Sequence, residues 1–317
     1  MHQIPSIAHS TLWISFSFLV IAMFVVDLFC FGGNKAHAPS IKKALAFSLF
    51  WILLALLFNL GLWIYLNQIQ GSAVADISAL NFLTGYLVEK SLSIDNLFIF
   101  LMIFTSFKIP ANLQKRVFTY GILGAIILRG IMIALGATLV SEFAWILYIF
   151  GAFLFLTGIK MAFSKTAHHE IKEGLFIRLC KKYMRITDGL RGQLFFIIER
   201  GLLYATPLFL VLLLIEFSDL AFATDSIPAI FAITQDPFII FSSNIFAILG
   251  LRALYFVLAG MLSRFAYLHY GLALILTLIG VKLLIAPFYH ISSVVTLLSV
   301  FVILLGSVML SLFFPKK

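Results

Sequence analysis

The chain has few charges, few cysteines and, on one side of its hydrophobic runs, no basic residues. Of 317 residues 11% are charged and 62% hydrophobic, and the mean hydropathy is +1.11. A soluble globular domain carries about 25% charged residues, so that class is excluded. The two cysteines, Cys30 and Cys180, exclude a disulfide-stapled scaffold. There is no GxxxxGK[ST] phosphate loop and no Gly-x-Gly-Asp signature, and the nearest approach to HExxH, His169-Glu170, ends in Glu173. Nucleotide hydrolysis, intramembrane aspartyl proteolysis and zinc hydrolysis therefore lack a sequence basis, and the protein is read as not an enzyme. All seven histidines fall in loops or at the edges of apolar runs, which removes the usual zinc and copper ligands from the interior.

What is present is hydrophobic length. A helix crossing the hydrocarbon core needs about 20 apolar residues, and nine such runs occur, near 12–31, 42–66, 80–107, 117–139, 143–163, 203–233, 242–264, 268–287 and 291–314. The expected fold is all-α, a polytopic membrane bundle of about nine transmembrane helices. Seventeen Lys and Arg lie on one side of these runs, eight of them in the segment 164–200, and none on the other. The positive-inside rule makes the basic side cytoplasmic, with the N-terminus outside and the C-terminus inside. Cys30 and Cys180 then both fall toward the reducing side. The formal charge of +9 is an orientation signal with anionic membrane lipid as its partner, and nucleic acid is not expected.

Six acids lie inside the runs: Asp27, Glu89, Asp95, Glu216, Asp219 and Asp225. Each costs roughly 2.5–3.5 kcal/mol at a bilayer centre on insertion scales. Their arrangement repeats. "EKSLSID" (89–95) and "DLAFATD" (219–225) each set two carboxylates six residues apart, followed by Asn96 or Ser226. Arg129 and Arg252 follow in the next runs; "LTGIK" ending at Lys160 then matches "LIGVK" ending at Lys282, each preceded twelve residues earlier by Tyr148 or Tyr270. Three runs per copy is an odd number, so the copies enter from opposite faces as an inverted repeat of three helices each, a transporter layout with its site near the midplane. The expected organisation is 1–79, two N-terminal helices; 80–163, the first repeat; 164–201, a basic cytoplasmic loop; 202–287, the second repeat; and 288–317, a C-terminal helix.

Six helical residues span about 600°, leaving paired carboxylates about 120° apart. Pro228, just beyond Asp225, weakens the preceding turn, so a broken or unwound helix is expected to let them converge. Carboxylate and carboxamide oxygens suit hard cations such as Mn²⁺, Mg²⁺ or Ca²⁺. Asp95, Asp219 and Asp225 are the expected ligands, with Glu89, Glu216, Asn96 and Asn244 as further donors. Arg129 and Arg252 are their ion-pair partners, holding the acids ionised or replacing the cation. Lys160 and Lys282 snorkel to the interface, and Lys90 is left without a role.

The stretches "FLTGYLVEKSLSIDNLFIF", "YGILGAIILRGIMI" and "LIEFSDLAFATDSIPAIFAITQDPFIIFSSNIFAILGLRALYF" resemble the TerC family, specifically its Alx-type manganese exporters in the broader LysE-type transporter group. The resemblance implies a bacterial inner-membrane protein that exports Mn²⁺ as its transported substrate and holds no permanent cofactor. The family's polar positions fall on Glu89, Asp95, Asn96, Glu216, Asp219, Asp225 and Asn244. The alternative is a non-transporting assembly or metalation factor with exported-protein or translocon partners. Ion selectivity, coupling ion and oligomeric state are not readable from these residues.

Overall fold

The computed structural model describes residues 7–31, 41–143, 145–163, 178, 180, 182–199, 201–259, 267–289 and 291–313. Ten helices and one two-stranded ribbon occur among them: α1 (Ser10–Phe31), α2 (Ile41–Ile69), α3 (Ser72–Ser106), α4 (Ala111–Glu142), α5 (Ile146–Phe163), β1 (Phe196–Glu199), β2 (Leu202–Ala205), α6 (Pro207–Phe231), α7 (Pro237–Ile248), α8 (Leu251–Ala259), α9 (Leu268–Ile285) and α10 (Ser293–Phe313). The protein is an all-α polytopic membrane bundle. Seven segments are long and apolar enough to cross a bilayer: α1, α2, α4, α5, α6, α10 and the consecutive pair α7–α8. To these α9 adds a shorter apolar helix, and α3 adds 35 residues that carry Glu89, Lys90 and Asp95. All nine expected hydrophobic runs are therefore helical over most of their length.

Two boundaries differ from expectation. The run 203–233 begins as β2, because Leu202–Ala205 pair antiparallel with Phe196–Glu199. The helix starts only at Pro207, whose fixed φ and missing N–H suit the first helical turn. Nor does Pro228 break α6. It stands three residues from the helix end, so it removes one backbone bond where the ladder is already finishing.

The break lies instead in the seventh run. Leu249 is extended and Gly250 has φ +83°, which separates α7 from α8. A Cβ at Gly250 would lie 2.8 Å from the Trp51 ring of α2, so both backbone sign and space require glycine there.

The α7–α8 pair is the centre of the bundle. In its apolar window 89% of residues are buried, against 22% for α1 and α2. Rings from α1, α2, α3 and α7 close one side of it: Phe58 and Phe246 lie 4.7 Å apart, and Trp13 meets Phe238 edge-on at 5.1 Å. On the far side α5 and α9 approach through glycine. Added Cβ atoms would meet backbone at 2.5 Å from Gly280 (Phe155 N), 2.7 Å from Gly158 (Ala273 O) and 3.2 Å from Gly151 (Gly280 O). Early residues of α5 thus meet late residues of α9, so the two run antiparallel. In lipid, where hydrocarbon tails compete for apolar surface, such close backbone approach is what holds helices together.

Candidate functional site: a buried arginine shared by three helices

Between α3, α4, α6 and α7 the described residues place a fully buried polar cluster. Arg129 on α4 is 1% exposed, Glu89 on α3 and Asn244 on α7 are 0%, and Asp219 on α6 is 5%. Arg129 Nη1 donates to a Glu89 carboxylate oxygen and, at 2.8 Å, to Asn244 Oδ1. Its Nη2 and Nε donate to the two oxygens of Asp219 at 3.1 and 3.3 Å, a bidentate pair. Asn244 Nδ2 donates to Ile240 O at 2.9 Å. That bond turns the amide so that its oxygen, not its nitrogen, faces the guanidinium.

Two carboxylates against one guanidinium leave the cluster one positive charge short of neutrality. Glu89 Oε2 has no hydrogen-bond partner, and neither does buried Ser93 Oγ one turn further along α3. On α6 the Glu216 Oε2 and Ser226 Oγ atoms are likewise buried without a hydrogen bond. The Glu216 carboxylate lies over Gly124 of α4, where an added Cβ would come within 2.2 Å of its oxygen. Carboxylate and hydroxyl oxygens left unsatisfied in this way fit a hard cation.

The remaining sequence candidates are dispersed. Asn96 is buried on α3, seven residues from Glu89. Asp225 is half-buried on α6, six residues past Asp219 in an unbroken helix, so the expected convergence by unwinding does not occur there. The Asp95 side chain lies outside the described residues. Among the described residues no three His, Cys, Asp or Glu side chains converge as a ready metal cage; the acids meet on Arg129 instead.

Arg252, on α8, is not part of this cluster. It is 0% exposed, lies 3.1 Å from Asp27 of α1 and donates to Thr119 Oγ1 of α4 at 2.8 Å. Lys90 takes a role that its position next to Glu89 did not reveal. Its buried Nζ donates to Ala247 O at 3.1 Å and Leu249 O at 3.2 Å, capping carbonyls that the break after α7 leaves without helical partners. Gly124 was also missed; the signal for it was a small residue on the helix facing Glu216.

Residues 74–317 match the family described as "Integral membrane protein TerC family". The chain belongs to the TerC family. It is 55% identical over 293 residues to an Escherichia coli (strain K12) protein described as "Putative membrane-bound redox modulator Alx", covering 92% of this chain and 91% of that one. It is 45% identical over 307 residues to a Myxococcus xanthus protein described as "Uncharacterized membrane protein STKORF319", covering 97% and 93%. No solved structure matches. Within this TerC-family chain the match spans the whole Arg129 cluster, while Asp27 and its helix α1 lie before the matched residues.

Proposed function

We propose that this protein is a secondary transporter that exports Mn²⁺ across the bacterial inner membrane, with its N-terminus periplasmic and its C-terminus cytoplasmic. The observation that carries the reading is Arg129: a tethered cation bonded by two carboxylates and a carboxamide from three other helices, deep among the spans. Oxygen donors that grip a guanidinium also suit a hard dication, and displacement of one cation by the other is a way to bind and release. Mn²⁺ displaces the Arg129 side chain from Glu89 and Asp219, and unpaired oxygens of Glu89 and Glu216 complete the donor set. Asn96 on α3 and Asp225 on α6 are further oxygen donors on the helices that carry Glu89 and Asp219. The substrate is the divalent cation itself, with no catalytic step, permanent cofactor or nucleic-acid partner.

Two features support an inverted repeat behind this site. Glu89 and Asp219 hold matching places in the two copies and meet on the same guanidinium. The α5–α9 contacts are reciprocal as well: aligning Tyr148 with Tyr270 sets Gly151 against Ala273 and Gly158 against Gly280, and the close approaches join Gly151 to Gly280 and Gly158 to Ala273. A two-fold axis in the membrane plane, exchanging the copies, produces that pattern.

The description of the Escherichia coli relative concerns redox chemistry. Here Cys180 is buried and burial pushes its thiol pKa up, away from the reactive thiolate that redox exchange needs. Ion movement is the reading that the Arg129 cluster supports. The test is cellular manganese content with and without the protein, repeated for Asp219→Asn and Asp225→Asn. The parent lowers manganese and Asp219→Asn does not. Two variants that clear manganese as well as the parent would overturn the assignment.

A further inference from the structure

The β1–β2 ribbon presents apolar side chains to its surroundings on both faces. Ile198 is 75% exposed, Leu203 62% and Leu194 53%, with Leu202 and Phe196 also exposed. Two strands alone are marginal in water even with a covered face, and a contiguous apolar surface of this kind marks a partner.

The ribbon is nonetheless fixed in place. Phe196 packs on Phe209 of α6 at 4.3 Å, Phe195 meets Tyr120 of α4 edge-on at 5.1 Å, and Thr206 N donates to Phe195 O at 2.9 Å. Its depth follows from α6. Asp219 lies twelve residues beyond Pro207, about 18 Å along the axis, and half a hydrocarbon core is about 15 Å. With Asp219 near the midplane, Pro207 and the ribbon ending two residues before it sit where acyl chains give way to headgroups.

Beside the ribbon lies a cavity of about 870 Å³ between the segment 182–190 and helices α3 and α6. Lys182 and Arg185 supply positive charge at its wall and outnumber the single acid there, Asp188, and Phe107, Tyr204, Pro207 and Leu210 supply apolar surface. Basic groups next to aliphatic and aromatic ones, at headgroup depth on the side that carries the basic loops, match a negatively charged headgroup with its acyl chains attached.

We propose that the β1–β2 ribbon and this adjoining cavity form an anionic-phospholipid site that anchors the 182–206 segment in the cytoplasmic headgroup layer. The lipid phosphate lies by Lys182 and Arg185, and Ile198 and Leu203 enter the upper acyl region. The ribbon leans on α4 and α6, which also carry Arg129 and Asp219, so lipid occupancy steadies the two helices that frame the buried cluster. This goes beyond the export reading, since the lipid site stands whichever ion is carried.

The full-length protein tests it in vesicles of phosphatidylcholine, with or without phosphatidylglycerol. A fluorophore on Ile198→Cys, in a Cys30→Ser, Cys180→Ala background, is expected to be quenched by spin-labelled lipid and shielded from aqueous iodide, whereas one on exposed Asn112→Cys, outside the cavity, shows the reverse. Iodide quenching at Ile198 equal to that at Asn112 would refute the anchor; so would shielding from both quenchers, which places a second copy or another part of this chain over the ribbon. With the native cysteines kept, Lys182→Gln/Arg185→Gln is expected to lower binding of labelled phosphatidylglycerol roughly thirtyfold, from about 1 kcal/mol per basic residue near an anionic surface. Unchanged lipid binding in that variant overturns the site. Absence of manganese flux in parent vesicles that still bind phosphatidylglycerol counts against the export reading alone.

Discussion

Replacing Arg129 by glutamine gives the most direct test of whether a guanidinium stands where a dication binds. The cluster holds two carboxylates against one guanidinium, all at most 5% exposed. Arg129→Gln leaves Glu89 and Asp219 facing each other, a formal charge of −2 in a site from which water is largely excluded. Removing one partner of a buried pair costs about 3–5 kcal/mol, so the variant is expected to unfold at a lower temperature than the parent in metal-free detergent solution. The deficit has a specific remedy. A dication that binds only the folded variant restores about 2.7 kcal/mol at a hundredfold excess over its Kd, enough to recover most of the loss. In the parent the tethered arginine competes for the same oxygens, so added Mn²⁺ stabilises less. The assay is thermal unfolding followed by tryptophan fluorescence with Mn²⁺ titrated into parent and variant, and Na⁺ as the control. A variant that gains no more from Mn²⁺ than the parent does would refute the reasoning.

Other perturbations act on single contacts. Gly124→Ala drives a methyl group into the Glu216 carboxylate, whereas Gly130→Ala on the same helix meets only a ring edge at 3.4 Å. The first is expected to cost about 1–3 kcal/mol and to slow cation flux, the second to leave both nearly unchanged, by thermal shift and vesicle flux. Lys90→Met strands the carbonyls of Ala247 and Leu249 and is expected to cost about 1–3 kcal/mol, with Lys90→Arg recovering part of it in the same unfolding assay. Gly250→Ala combines a φ of +83° with an overlap on Trp51 and is expected to cost more than about 1 kcal/mol, the scale of left-handed strain alone.

Hydrophobic length and rare buried charge were legible in the sequence because both are local. Nine apolar runs became helices, and Glu89, Asp219, Asn244 and Arg129, each marked by its cost in lipid, came together. The location of the break was not legible. Pro228 is a visible breaker but stands at a helix end, while Gly250 looks like any glycine in an apolar run until Trp51 of α2 is placed against it. The pairing of Arg252 with Asp27 was hidden for the same reason, since it joins residues more than two hundred positions apart. The ribbon was absorbed into an apolar run because alternation over four residues is too short to tell a strand from a helix start. Asp225 shows the opposite limit: the 120° offset from Asp219 was correct, and the unwinding invoked to undo it does not occur.

Glu89 and Lys90 are adjacent on α3, so their side chains leave the axis about 100° apart. One grips the guanidinium of α4 and the other clasps the bend between α7 and α8. Helix α3 therefore works as a crank with two arms of opposite charge. A turn that loosens one arm also drags the other, so any shift of Glu89 off the guanidinium is passed to the kink at Gly250 through a single peptide bond.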